Sequence, residues 1–120
     1  MAAFSKVLLS GSTFGKAVKV AATATPGTSV HATGISATIL DEIWLYAYNS
    51  DAADRILTVE FGGATAPDQN IVLTILKKTG LTLVVPGLVL TGDGAAALTV
   101  KAFADAANVV TLTGFINRIT

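Results

Sequence analysis

His31 is the one histidine of this 120-residue chain, and there is no cysteine. A protein metal site draws on several His, Cys or carboxylate ligands, and a histidine acting as acid or base needs a partner to orient it. No carboxylate stands close to His31 in the sequence, so it is expected on a loop or strand face with no catalytic role. The missing cysteine excludes thiol catalysis, iron–sulfur clusters and cysteine-based zinc sites. The segment GSTFGKA at 11–17 approximates a phosphate-binding P-loop and fails it. Its glycine spacing is one residue short, and Ala17 stands where Ser or Thr would hold Mg²⁺. The next residues, Val18, Lys19 and Val20, read as strand where a helix N-terminus would be needed to hold the anion.

The carboxylates give no stronger signal. Asp41 and Glu42 are adjacent, Asp51 and Asp54 share a polar loop, and Glu60, Asp68, Asp93 and Asp105 stand singly. Asp54 and Arg55 are expected to form an exposed pair worth about 0–1 kcal/mol. Calcium loops alternate acidic residues at closer spacing and end on a bidentate Glu, a pattern absent here. A glycosidase would need two distant carboxylates to converge in a cleft, and the chain is poor in cleft-building loops. No enzyme, cofactor or metal site is therefore expected. Trp44, Tyr46 and Tyr48 are the remaining candidates. Their alternate spacing suits either a sugar-stacking platform or core and interface packing, and their place in the most apolar segment favours packing.

The elements that must carry these residues are strands. Thr, Val and Ile supply 36 of the 120 residues, and β-branched side chains fit a pleated, half-buried surface. Turn residues recur at Gly11, Gly15, Pro26, Gly34, Gly62, Pro67, Gly80, Pro86, Gly92 and Gly114, and closely spaced turn signals between short strands point to a sandwich or barrel. Period-2 alternation sets Leu57, Val59 and Phe61 on one face, then Ile71, Leu73 and Ile75, then Leu81, Leu83 and Val85. Leu98, Val100 and Ala102 repeat the pattern, as do Val110, Leu112 and Ile116. Residues 39–48 are apolar on both faces apart from Asp41 and Glu42, as in a central strand, and their aromatic face calls for a cover. Gly92, Asp93 and Gly94 read as a hairpin turn. The best helical stretch, 102–107, is too short to stand alone. Residues 1–34 are rich in Ser, Thr, Gly and Ala, and form either the first strands or an extended arm; residues 35–120 form the sandwich domain.

Charged residues make up 13% of the chain, hydrophobic residues 52%, and the net charge is zero. Soluble domains average about 25% charged, and a neutral, charge-poor monomer is poorly protected against self-association. Much of the surface is thus expected to be covered by other subunits. The eight basic residues are scattered, which excludes the clustered cation excess of a nucleic-acid binder. The apolar run at 81–90 is interrupted by Thr82, Pro86 and Gly87 and falls short of the roughly 20 residues a spanning helix needs, so no membrane partner is expected. The N-terminal apolar core is too short for an ordinary signal peptide, which needs about 7–15 residues.

Four segments carry a family resemblance: LDEIWLYAYN at 40–49, LTVEFGG at 57–63, GLTLVVPG at 80–87 and NVVTLTGFINRI at 108–119. From about residue 39 onward the chain resembles small virion proteins of tailed bacteriophages, and GFINRI at 114–119 is the most specific piece. The resemblance implies a capsid decoration (cement) protein: an all-β, antiparallel β-sandwich, jelly-roll-like, made in the host cytoplasm. Such a protein sits on the outer capsid surface as a dimer or trimer and bridges neighbouring major capsid protein subunits. Cementing relies on surfaces, so no functional residue transfers from the family. The expected contacts are Phe4, Lys6 and Phe14 in the arm, Trp44, Tyr46 and Tyr48 for subunit packing, and Arg118 near the C-terminus. Deletion of residues 1–14 is then expected to leave a folded domain that no longer decorates shells. The competing expectations are a β-sandwich adhesin stacking a host surface glycan on its aromatics, and a tail or portal-proximal virion part.

Overall fold

The computed structural model describes residues 3–120. In chain order its strands are β1 (Phe4–Val7), β2 (Val18–Lys19), β3 (Thr28–Ala32), β4 (Leu40–Asn49), β5 (Arg55–Phe61), β6 (Asn70–Ile75), β7 (Thr82–Leu90), β8 (Thr99–Ala104) and β9 (Val110–Ile119). They form two antiparallel sheets packed face to face. The first has the order β1-β9-β4-β7, and the second β3-β8-β5-β6. β4 occupies one edge of β9 along its whole length; β1 and β2 share the other, β1 against residues 116–119 and β2 against 111–112.

The pairing has a simple logic. β2 pairs with β9, β3 with β8, β4 with β7 and β5 with β6, as in one long hairpin whose tip is the β5–β6 turn. Rolling that hairpin brings β4 against β9 and β5 against β8, closing two sheets. This is the jelly-roll sandwich, with β1 added at the edge. Among the described residues there is no helix, and 102–107 is instead the end of β8 and a turn.

Burial follows the alternation in most strands. Ile43, Leu45 and Ala47 of β4, Leu57 and Val59 of β5, Val100, Ala102 and Ala104 of β8, and Val110, Leu112 and Ile116 of β9 are fully buried. Each large aliphatic among them contributes roughly 1.5–3 kcal/mol on leaving water. Alanines mark close backbone crossings: Gly27 passes so near Ala102 that an added Cβ would lie 2.6 Å from its backbone nitrogen.

Two elements depart from the pattern. In β7 the residues opposite β4 skip Gly87 and Val84, so the strand carries two bulges. Val84 and Val85 are both buried as a result, while Leu81 and Leu83 face solvent, not the core. In β5 the second face is buried at Thr58 and Glu60, while Ile56 stays exposed. Glu60 accepts hydrogen bonds from the Thr25 hydroxyl (2.8 Å) and the Gly27 amide (2.6 Å), and is capped by the β2–β3 connection. The Gly92–Gly94 turn does not close a hairpin, because β7 and β8 lie in different sheets. There the Asp93 carboxylate accepts the amides of Ala95 and Ala96, which hold it ionised and lower its pKa. Arg55 pairs with Asp51 and not with Asp54, whose carboxylate accepts the Lys77 amide.

Residues 1–34 supply β1, β2 and β3, and Leu9, Val18, Val20 and Val30 sit in the core. Removing residues 1–14 would take away the β1 ladder and Leu9, so the truncated chain is not the intact domain. Leu8 and Leu9 give a clean test, since Leu8 is exposed and Leu9 is 2% exposed. Leu9→Ala is expected to cost about 2–4 kcal/mol in urea unfolding, and Leu8→Ala less than about 0.5 kcal/mol. Equal effects would contradict the burial of this segment.

Candidate functional site

The parity of β4 decides what its two faces can do. Asp41, Ile43, Leu45, Ala47 and Asn49 point inward, while Glu42, Trp44, Tyr46 and Tyr48 point outward and are half-buried. On the outer face, cross-strand partners line up in rows. Trp44 lies opposite Phe115 of β9 and Pro86 of β7; Tyr46 lies opposite Thr113 and Leu83; Tyr48 lies opposite Thr111. Glu42 lies opposite Asn117, which in turn faces Lys6 of β1. Phe4, opposite Ile119, is 76% exposed at the edge of the same face.

One row runs across the whole sheet. The Lys6 ammonium lies 4.7 Å from the centroid of the Phe115 ring. Phe115 stacks on Trp44 with centroids 6.2 Å apart and planes 14° from parallel. On the β7 side the indole lies close to Gly87, where an added Cβ would come within 2.7 Å of Trp44 Cζ2. Gly87 has φ 77°, a conformation that suits glycine at this bulge. Phe115 and Trp44 thus sit side by side between Lys6 and Gly87. Such contacts add roughly 0.5–1.5 kcal/mol each beyond area burial and fix the rotamers.

Glu42 braces the row. Its Oε1 accepts hydrogen bonds from Trp44 Nε1 (2.7 Å) and Asn117 Nδ2 (3.0 Å). The indole donor, then the amide donor, hold this carboxyl below the usual carboxylate range.

Two of the expected contact residues do not join this face. Phe14 is 88% exposed in the turn between β1 and β2, off the sheet. Arg118 points to the inner side, where it donates from Nε to Asp41 Oδ1 (2.8 Å) and from a terminal nitrogen to Oδ2 (3.0 Å). Its side chain is 31% exposed and pairs with the buried Asp41 carboxylate. His31 lies deeper: it is 3% exposed, and its Nε2 donates to Asp41 Oδ2 at 2.8 Å. Its Nδ1 accepts the Ser10 amide at 3.1 Å, which fixes the Nε2–H tautomer. The carboxylate partner absent from the neighbourhood of His31 in the sequence comes from β4 in the facing sheet. Burial raises the Asp41 pKa, but the hydrogen bonds from Arg118 and His31 outweigh it and the net shift is downward; Arg118 is raised in turn.

The face brings together Phe4, Lys6, Trp44, Tyr46 and Tyr48, all anticipated, with Glu42, Phe115 and Asn117, which were not. Phe115 has the outward parity of Thr111 and Thr113, the one signal that could have found it. No cavity opens among the described residues, and no three His, Asp or Glu side chains gather around a point.

Comparison with family models, with curated proteins and with solved structures returns no match.

The Asp41 cluster yields a pH prediction. The folded pKa is depressed, so its stabilisation is present above the unfolded value near 3.8 and is lost as pH falls through the folded value. Asp41→Asn is expected to lose about 2 kcal/mol at neutral pH and to show a flatter decline in acid. Urea unfolding at several pH values reads both. Parallel pH profiles for the two proteins would contradict the assignment.

Proposed function

We propose that the chain is a structural virion protein that binds the outside of an assembled bacteriophage capsid and bridges neighbouring major capsid protein subunits. The observation that carries this reading is the outer face of the β1-β9-β4-β7 sheet. It is aromatic and partly apolar, with Phe4, Leu83 and Val89 at 76%, 44% and 48% exposure around the stacked row. Exposed apolar patches of this kind mark protein-contact surfaces, and preset rotamers reduce the entropy lost on docking. The low charge content and zero net charge fit a subunit whose surface is largely covered in its assembly.

The mechanism is clamping. A protein that binds only the assembled shell stabilises it by mass action, and a dimer or trimer multiplies weak contacts through effective concentration. Tyr46, Leu83 and Phe4 are the docking groups, and Trp44 with Phe115 is the stiffener behind them.

A second reading, an adhesin binding a host surface glycan, draws on Tyr46 and Tyr48 sharing the exposed face. It is weakened by the row itself, since Phe115 and Trp44 already make contacts with Lys6, with each other and with Gly87 that a stacked sugar would compete with.

The test is the copy number and position of the protein in purified particles, by gel densitometry and cryo-electron microscopy. Many copies at regular lattice points on the shell are expected; a few at a vertex or tail, or none, would refute the cement reading. Leu83→Asp, on an exposed outward position, is expected to keep the fold and weaken particle binding by about tenfold or more. Saturable binding of cell-surface polysaccharide would favour the adhesin.

A further inference from the structure

The row beside the aromatic stack holds three residues whose chemistry the docking role leaves unused. Lys6 on β1, Asn117 on β9 and Glu42 on β4 are consecutive cross-strand partners on one face. An amine, a carboxamide and a carboxylate so arranged are the components of an amide exchange. We propose that Lys6 and Asn117 are a self-cross-linking pair, joined by an isopeptide bond with Glu42 as the proton carrier.

The step balances without any co-reactant. The neutral Lys6 Nζ attacks Asn117 Cγ, and a C–N bond forms. The Glu42 carboxylate takes the proton released by the amine and delivers it to Asn117 Nδ2. The Cγ–Nδ2 bond breaks and ammonia leaves, so one primary amide becomes one secondary amide and nothing is oxidised or reduced.

Three observations point to this step. Lys6 and Asn117 are directly opposite, a relation that sets Cβ atoms about 5 Å apart, within reach of a lysine's flexible four-carbon stem. The leaving nitrogen, Nδ2, already donates to Glu42 Oε1 at 3.0 Å, so the carboxylate that is to carry the amine's proton to it is in contact with it. Glu42 is held in that position by the Trp44 indole at 2.7 Å, and the Lys6 ammonium rests over Phe115, two residues from its target on the same face. The bond would tie the first strand to the last. β1 pairs with β9 through only four residues at the sheet edge, and closing a loop on the order of 100 residues removes freedom from the unfolded chain.

The experiment is intact-mass measurement of the purified full chain during incubation in neutral and mildly alkaline buffer, followed by fragmentation of its peptides. The expected result is loss of one ammonia, faster in alkaline buffer where more amine is neutral, and a branched peptide joining Lys6 to Asn117. Lys6→Arg and Asn117→Ala are expected to keep the full mass, and Glu42→Gln to slow closure by about 100-fold. A wild-type chain that keeps its full sequence mass after prolonged alkaline incubation overturns the proposal. So does an ammonia loss that persists in Lys6→Arg, which would mark a succinimide at an asparagine.

Discussion

Strand β4 is pinned at both ends by buried polar side chains, and the rest of the molecule takes its register from it. At one end Asp41 is held by Arg118 and His31. At the other, Asn49 donates to the Ala53 and Ile75 carbonyls and accepts the Asp51 amide. A slip by one residue would bury Trp44, Tyr46 and Tyr48 and expose Ile43, Leu45 and Ala47. It would also strand two polar groups away from their partners, at about 1–3 kcal/mol each. Midway, Gly114 lets β9 pass β4 so closely that a Cβ there would run into the Trp44 carbonyl oxygen. These fixed points give β4 one face for the core and another for the outside.

What was legible in the sequence was whatever depends on near neighbours. The alternation in β5, β8 and β9 is a local property, and it set Leu57 with Val59, Val100 with Ala102, and Val110 with Leu112 and Ile116 on shared faces, which are the buried ones. The exposure of Leu81 and Leu83 was not legible, because the bulge at Val84 that breaks their parity with Val85 exists only in the pairing of β7 with β4. Glu60 looked like an outward residue of an alternating strand, and only the return of residues 25–27 over it explains its burial. The same holds for the site. The aromatic spacing of β4 was visible, whereas the stack on Phe115 depends on the register of β4 against β9, about 70 residues away in the chain. The pairing of Arg118 with Asp41 is likewise invisible in the sequence, because it depends on the register of β9 against β4.

The two outer faces of the sandwich differ in a way that bears on function. The β3-β8-β5-β6 face carries exposed Ile56 and Val72 scattered among Thr74, Lys101 and the capped Glu60. The β1-β9-β4-β7 face is organised by cross-strand rows, with aromatic rings held by stacking and a carboxylate held by two donors. A surface whose side chains are already ordered suits docking on another rigid surface. It suits sugar recognition less well, since Trp44 and Phe115 are already engaged with each other and with Lys6 within the sheet.

The central claim is that this one face is the docking surface. Hydroxyl-radical footprinting of the chain, free and bound to purified capsids, tests it most directly. The account predicts that Phe4, Tyr46 and Leu83 become protected on the particle while Ile56 and Val72 stay as reactive as in the free chain. Protection of Ile56 and Val72 with Phe4, Tyr46 and Leu83 unchanged would contradict it.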